Sequence, residues 1–200
     1  MFVVTADQVD SRSRDDAVAA TITRLIAEHS PVLPLPPERT AGDELQLAVP
    51  VATSALAIVL ELVRTGDWSV GLGIGAAQLG AGIRESNGPA FIAARRAVER
   101  AKRKATRVGV ETEPASVDAA DADALVDLLL LVRARRTDEG WELHDLIERG
   151  ATQAEAAATL GISPQAASDR AIAAGLRQDR AATEALTRLL TRLNEPGERN

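Results

Sequence analysis

The stretch TQAEAAATLGISPQAASDR, residues 152–170, predicts two short helices joined by a tight turn. Thr152 followed by Glu155 has the spacing of a capping box, in which each side chain accepts a hydrogen bond from the other residue's backbone N–H. Ser163 and Pro164 form a second helix start, because serine caps well and proline is tolerated at the first helical position. Each helix therefore has its own start signal.

Gly161 lies between the two predicted helices and can adopt the left-handed conformation that ends a helix and reverses the chain. Small side chains would let the helices approach closely, and two larger ones would fill the angle between them: Ala157, Ala158, Ala166 and Ala167, with Leu160 and Ile162. Helix, glycine turn and capped helix is the layout of a helix-turn-helix, whose second helix lies in the DNA major groove. The alternative is an ordinary helical hairpin with good caps.

DNA binding is the favoured interpretation of this motif. Glutamine suits adenine, and arginine suits guanine or phosphate, although Arg170 also fits a solvated surface charge. The residues predicted to form the DNA interface are Thr152, Gln153, Ser163, Gln165, Ala166, Ser168, Asp169 and Arg170.

The charge of the chain qualifies this interpretation. Its net charge is −6, and no basic run follows residue 120, whereas DNA affinity depends on neutralising phosphates. We therefore expect a homodimer that combines two half-sites. The same acidic balance leaves open a C-terminal protein-interaction module.

Length and composition indicate an ordinary globular protein. Two hundred residues, 46% apolar and 26% charged, suit one large domain or two small ones. The absence of cysteine excludes disulfides and thiolate metal sites, and two histidines argue against a histidine-built zinc site. We expect a cytoplasmic protein without a signal peptide or a transmembrane segment.

Hydrophobic periodicity predicts an α+β arrangement in the first half of the chain. The predicted order is a strand at 2–6, a helix at 15–28, a hairpin with Gly42 and Asp43 at its tip, a helix at 53–64, a strand at 68–74, a helix at 89–106 and a strand at 107–111. We expect the helices on one face of the sheet.

Residues 114–123 are small and acidic, and they predict a linker or the first turn of the next helix. We place the domain boundary there, which gives an α+β domain at 1–115 and an all-α domain at 116–200. Further helices are predicted at 125–136, 141–149 and 180–193. The apolar stripe of the last one either covers the core of the small domain or pairs with its copy in a dimer.

Two carboxylates are candidate Mg²⁺ ligands, because Asp7 ends the first predicted strand and Asp43 lies at the hairpin tip. Mg²⁺ takes one or two protein carboxylates together with substrate phosphates, and two such ions can clamp the oxygens of phosphoryl transfer. Glu44 and Asp10 are expected nearby. The alternative is ordinary turn chemistry, because Gly-Asp is a frequent hairpin pair.

Four short motifs occur in a fixed order: TADQVDSR at residues 5–12, AGDELQ at 41–46, GLGIG at 71–75 and NGPA at 87–90. With the helix-turn-helix stretch, this combination resembles the SatD family over nearly the whole chain. Each motif is short, and the combination is fairly specific. The resemblance implies an architecture more than an activity.

The first domain also resembles class III nucleotide cyclases and GGDEF diguanylate cyclases, which share a ferredoxin-like palm fold. The resemblance implies that Asp7 and Asp43 hold metal and that Glu44, Arg39 and Arg96 contact ligand. Two departures suggest lost catalysis with retained binding, because polar groups are replaced where those enzymes orient ribose and select a base: Ile92 and Pro89.

One predicted helix is strongly basic, with Arg95, Arg96, Arg100, Lys102, Arg103, Lys104 and Arg107 along it. It is either a solvated face of an acidic protein or a surface that binds phosphate or the DNA backbone. The glycines at 71–75 lie in a predicted strand, so they are not a dinucleotide-binding loop and instead let a ligand or a neighbouring backbone come close.

These observations together predict a DNA-binding transcription regulator whose degenerate cyclase-like domain binds a nucleotide or cyclic nucleotide. The alternative is a Mg²⁺-dependent nucleotidyl cyclase with a DNA-binding output domain.

Overall fold

A computed structural model describes residues 1–11 and 13–195; Arg12, which ends the first motif, lies outside them, as do residues 196–200. The strands are β1 (Phe2–Gln8), β2 (Glu38–Arg39), β3 (Glu44–Val49), β4 (Trp68–Ile74) and β5 (Val108–Thr112). The helices are α1 (Val18–His29), α2 (Ala52–Arg64), α3 (Pro89–Ala101), α4 (Val117–Arg133), α5 (Asp138–Glu148), α6 (Gln153–Thr159), α7 (Pro164–Ala173) and α8 (Leu176–Asn194). The protein is mixed α+β, as predicted.

The strands form one sheet in the order β2-β3-β1-β4-β5. β1 is central and pairs antiparallel with β3 and β4, whereas β5 extends the sheet parallel to β4. The register sets Asp7 opposite Glu44 on one side and Ser69 on the other, so these three side chains share one face of the sheet.

Helices cover both faces of the sheet, so the prediction that they lie on one face is wrong. Gly71 and Gly73 of β4 face α3, while Val70 and Leu72 alternate with them and are buried on the opposite face. The apolar residues of α1 and α2 cover that second face. The chain crosses to the other face because β5 lies parallel to β4 and needs a crossover helix.

The two glycines bring the backbone of α3 against the strand. A Cβ on Gly73 would lie under 3.0 Å from Ala90 O and Ala94 N, and one on Gly71 would lie equally close to the α3 backbone. Of the two roles predicted for these glycines, the approach of a neighbouring backbone is confirmed.

The largest differences from the predicted boundaries are at the end of α3 and at the start of α4. Helix α3 ends at Ala101 rather than at residue 106, because the chain turns at 102–106 and Arg107 adopts a left-handed φ of 57°. Helix α4 begins at Val117 rather than at residue 125, so of the two alternatives for residues 114–123 the start of the next helix is the one found from 117 onward.

The chain forms two compact units, Met1–Val126 with the end of α8 from Leu186, and Asp127–Ala185. The division falls within α4 and α8, whereas the predicted boundary between residues 115 and 116 precedes α4. In the second unit α5, α6 and α7 pack against one another around Leu143 and small alanines. Over residues 1–11 and 13–195, no helix has the length and apolar character needed to cross a membrane.

Candidate functional site

The start of α6 carries the predicted capping box. Glu155 N donates to Thr152 Oγ1 at 3.2 Å, and Thr152 N donates to Glu155 Oε2 at 2.8 Å. Hydrogen bonding to Thr152 N and to its hydroxyl lowers the pKa of Glu155. This end of the helix is therefore fixed locally, as the four-residue pattern predicted.

Backbone hydrogen bonds hold the turn between α6 and α7. Gly161, at a φ of 65°, donates to Ala158 O at 3.2 Å, and Ile162 N donates to Ala157 O at 3.0 Å. Both bonds belong to the Schellman motif that ends helices at glycine. Ser163 Oγ then accepts from Ala166 N at 3.1 Å and starts α7.

Close packing between α6 and α7 involves two of the four predicted alanines. Ala157 and Ala167 are buried, whereas Ala158 and Ala166 are exposed. The sequence could not separate them, because alanine suits both a buried contact and a solvated helix face.

The predicted DNA-contacting residues differ in their exposure and in their side-chain contacts. Thr152, Gln153, Ser163, Gln165, Ala166 and Asp169 are exposed, and Ser168 and Arg170 are half-buried. Gln165 Nε2 donates to Asp169 Oδ1 at 2.9 Å along the surface of α7. Arg170 turns towards α5, with Nη1 3.4 Å from Glu139 O and 3.7 Å from Glu142 Oε2. Gln165 is thus the most available base-reading side chain among the residues predicted on α7.

One surface residue of α7 was missed by the sequence prediction. Ile172 is 75% exposed, although it lies in a helix whose other apolar side chains are alanines. Its signal in the sequence is weak, because isoleucine is expected in a core rather than on a surface.

A shallow depression of about 430 Å³ lies beside the hairpin tip in the first unit. Its lining residues are Gln8, Ser11, Asp16, Arg39, Gly42 and Asp43. Arg39 donates to Asp16 Oδ2 at 2.5 Å and to Gly42 O at 2.7 Å, and the Ser11 hydroxyl donates to Asp43. The hydrogen bond from Arg39 holds the pKa of Asp16 below its usual range.

The depression brings together two of the predicted ligand residues, Arg39 and Asp43. The other four lining residues were not predicted as ligands: Gln8, Ser11, Asp16 and Gly42, the last predicted only as part of the hairpin tip. Ser11 follows Asp10, which turns the chain with a left-handed φ of 55°, and this turn carries the hydroxyl to Asp43. Local sequence does not reveal the turn, because aspartate is also common in other conformations.

Asp7 and Glu44 have different partners from Asp43. Asp7 Oδ2 lies 2.9 Å from Lys102 Nζ, and the buried carboxylate of Glu44 pairs with Arg95 and accepts from Thr40 Oγ1 at 2.5 Å. Burial opposes the charge on Lys102, but its bonds to Asp7 and Glu99 outweigh burial and raise its pKa. The predicted metal ligand Asp7 and the predicted ligand-contacting residue Glu44 are thus each paired with a cation.

Arg96 lies apart from both groups. It donates to Glu111 Oε2 at 3.0 Å and to Thr112 O at 2.9 Å, and it lies 2.5 Å from Glu113 Oε2. Arg100 makes similar contacts with Glu111 and Asp123. Much of the basic face of α3 is therefore engaged in ion pairs with acidic residues of the same unit.

Three potential metal ligands come together elsewhere, at Glu28, His29 and Glu61. His29 Nε2 lies 2.7 Å from Glu61 Oε2, burial lowers the pKa of His29, and Arg24 pairs with Glu61. Among the residues that the structure describes, Asp7, Asp43 and Glu44 do not form such a three-ligand group. The sequence contained no spacing that would identify the cluster, because Glu61 comes from a different helix.

Comparisons with known proteins identify no relative of this chain. No family model matches the chain, and neither a curated protein nor a solved structure matches it. The functional interpretation consequently depends on the residues and on the motifs they form.

Proposed function

We propose that the chain is a dimeric DNA-binding regulator, related to the SatD family, whose first unit binds a nucleotide or cyclic nucleotide. In this proposal α6, the turn at Gly161 and α7 form a helix-turn-helix, and the first unit is a ferredoxin-like, cyclase-like palm.

The capped turn between α6 and α7 is the observation that carries the DNA-binding proposal. Two short helices, each with a side-chain cap, meet at a Schellman turn and pack on α5. This arrangement leaves the first turns of α7 exposed, where the recognition helix of such motifs contacts bases. Gln165 is suited to the N6 and N7 edge of adenine.

The strand order supports the palm proposal. The elements β1, α1, β2, β3, α2 and β4, with the order β2-β3-β1-β4 and antiparallel neighbours, follow the βαββαβ pattern of ferredoxin-like folds. β5 is an addition at the edge.

The depression at the hairpin tip supports ligand binding rather than catalysis. Its volume of about 430 Å³ lies in the range of small-molecule sites, and Arg39 offers donors to a phosphate or a base carbonyl. Asp7 and Glu44 are paired with Lys102 and Arg95, so these residues fit a two-metal centre poorly. Mg²⁺ would enter here with the ligand phosphates, held by Asp43.

Selection from a random-sequence duplex library tests the DNA proposal directly. We expect the full chain to enrich a two-fold symmetric site and Gln165→Ala to bind it more weakly, by roughly tenfold. Gln178→Ala, another exposed glutamine of the same unit, is the matched control and should bind normally. No enrichment at any salt concentration would refute DNA binding and favour a protein-interaction module.

Calorimetric titration with nucleoside triphosphates and cyclic nucleotides tests the ligand proposal. Binding should be lost in Arg39→Ala and kept in Arg180→Ala, which removes an arginine of the second unit. Pyrophosphate release from ATP or GTP with Mg²⁺, abolished by Asp43→Asn, would instead identify a nucleotidyl cyclase.

A further inference from the structure

Helix α4 exposes a row of large apolar side chains, which we name the α4 apolar face: Val117, Leu125, Leu128, Leu131 and Val132. Their exposed fractions run from 43% at Val132 to 77% at Val117. Leu128 lies three or four residues from Leu125, Leu131 and Val132, and eleven residues, about three turns, from Val117, so the five share one side of the helix. Contiguous apolar surface of this kind marks interaction sites in proteins.

The opposite side of α4 already contributes to the core. Ala119, Ala122, Val126 and Leu129 lie there, each no more than 3% exposed. The helix therefore has its folding contacts without the α4 apolar face. A helix that is apolar on opposite sides has the character of a buried helix, which indicates that the second side is covered in an assembly.

Charges bracket the α4 apolar face with opposite signs. Asp118 and Asp121 lie between Val117 and Leu125 in the first turns of the helix, and Arg135 lies in the turn that follows its end; all three are exposed. Arg135 N donates to Val132 O, so the backbone spiral continues to this residue. The face is thus negative at one end, apolar in the middle and positive at the other end.

We propose that a second copy of this chain covers the α4 apolar face, with the two α4 helices antiparallel about a two-fold axis. A register that sets Leu125 of one copy opposite Leu128 of the other also sets Asp118 opposite Arg135. The interface is self-complementary, as a two-fold axis requires. A parallel pairing would instead oppose aspartate to aspartate.

This inference deepens the proposed function: the role given to the dimer rests on that proposal, whereas the test of the interface needs no DNA. An α4 dimer in a chain that ignores DNA would refute the regulator and leave the interface standing. DNA binding by a chain that is monomeric in solution would support the regulator and refute the α4 interface.

Sedimentation velocity of the full chain over a concentration series tests the interface. We expect reversible dimers, and Leu128→Glu should raise the dissociation constant by roughly tenfold or more, because it buries an unpaired carboxylate. Ile92→Glu, at a residue 54% exposed on α3, is the matched control and should dimerise normally. Thermal melting monitored by circular dichroism shows whether each variant is folded.

Charge exchange and cross-linking test the antiparallel orientation. Arg135→Glu should weaken the dimer, and adding Asp118→Arg should restore it. In this cysteine-free chain, Leu125→Cys should cross-link under oxidation, whereas Val117→Cys should not, since the two copies of residue 117 would be about 28 Å apart.

Three results would overturn the proposal. They are a chain that stays monomeric up to its solubility limit, a dimer indifferent to Leu128→Glu, and cross-linking through residue 117 as readily as through residue 125.

Discussion

Gly73 shows how one missing side chain sets the distance between a helix and a sheet. Gly73→Ala would place a Cβ against the α3 backbone at Ala90 and Ala94, which can move only together with the helix. We expect a loss of about 3 kcal/mol in the free energy of unfolding, measured in urea. Gly82→Ala is the control, because its new Cβ meets only the end of the Glu38 side chain, which can shift without moving any backbone. Equal losses in both variants would contradict the explanation.

Asp179 joins two arginines in the interior of the second unit. Arg133 and Arg136 donate to it at distances of 2.5 to 2.9 Å, and Arg136 lies over the Trp141 ring at 4.3 Å. Burial works against the charge on Asp179, but the two arginines outweigh it and lower its pKa.

Asp179→Asn should cost about 3 kcal/mol of stability, because the guanidinium groups of buried Arg136 and half-buried Arg133 lose their counter-charge. Glu184→Gln, which alters an exposed pair with Arg180, should change stability by less than about 0.5 kcal/mol. Chemical denaturation of both variants provides the measurement, and a neutral Asp179→Asn would refute the role of this ion cluster.

His144 couples stability to pH. Burial, and then the nearby Arg136 and Arg133, lower its pKa from 6.5, while Asp145 opposes them. Between the lowered pKa and 6.5 the unfolded chain binds a proton that the folded chain does not, so stability decreases as the pH falls through this window. His29 acts in the same direction, because burial lowers its pKa too.

We therefore expect melting temperature to fall from pH 7.5 towards pH 5.5 and the fall to be smaller in His144→Gln. His144→Gln with His29→Gln should flatten the profile further. An unchanged slope in the double variant would assign the pH dependence to carboxylates instead.

At the scale of the element, the capping box holds α6, a helix of only seven residues. Thr152→Ala removes the hydroxyl that accepts from Glu155 N and donates to Glu155 Oε2, and leaves only the backbone bond from residue 152 to Glu155. It should destabilise the unit by about 1 kcal/mol, with faster amide hydrogen exchange at the start of α6. Thr23→Ala, at an exposed threonine within α1, should leave exchange in α6 unchanged. Equal exchange rates at the start of α6 in Thr152→Ala and in the wild-type chain would show that the cap is dispensable.

Elements defined by local chemistry could be predicted from the sequence. The caps of α6 and α7 and the reversal at Gly161 depend on residues a few positions apart. Strand β1 follows from a short apolar run rich in strand-forming residues, and β4 follows from a two-residue period. The end of α3 could not be predicted, because its turn contains neither glycine nor proline and depends on the unusual φ of Arg107.

The candidate site was less predictable, because most of its pairings join residues that are far apart in the sequence. Arg39 and Asp43 are four residues apart and share the depression, as a hairpin tip suggests. Lys102 reaches Asp7 from far along the chain, and the pairing of Arg96 with Glu111 depends on where β5 lies. Such pairings follow from tertiary distances that no local pattern encodes.

At the scale of the whole molecule, the acidity of the second unit limits how it can hold DNA. Residues 127–185 contain seven arginines against ten aspartates and glutamates, and two of the arginines are tied to Asp179. Arg149 and Arg177 are exposed and can meet phosphates.

We expect a dimer to contact about four phosphates, with log K falling against log salt at a slope of about −4. Fluorescence anisotropy on the selected duplex measures this slope, and Arg149→Ala with Arg177→Ala should flatten it. A slope of about −10 would contradict the expectation that a dimer contacts only about four phosphates.

A bound nucleotide should change operator affinity if the two units are coupled. Anisotropy titrations with and without the ligand identified by calorimetry provide the measurement, with Arg39→Ala as the variant that should not respond. Equal affinities in the wild-type chain would remove the regulatory link while leaving both binding activities.

The glycine pair of β4 also offers a way to recognise distant chains of the same architecture. Because α3 rests on Gly71 and Gly73, its contact side must be small, and it carries Ala90, Ala94, Ala97 and Ala101. A search can look for Gly-x-Gly in a predicted strand, followed by a predicted helix with alanines three or four residues apart. Such a search selects sequences by a steric requirement rather than by overall similarity. Chains retrieved in this way, with or without α5 to α7 attached, would reveal whether the sheet and the capped helices are inherited together.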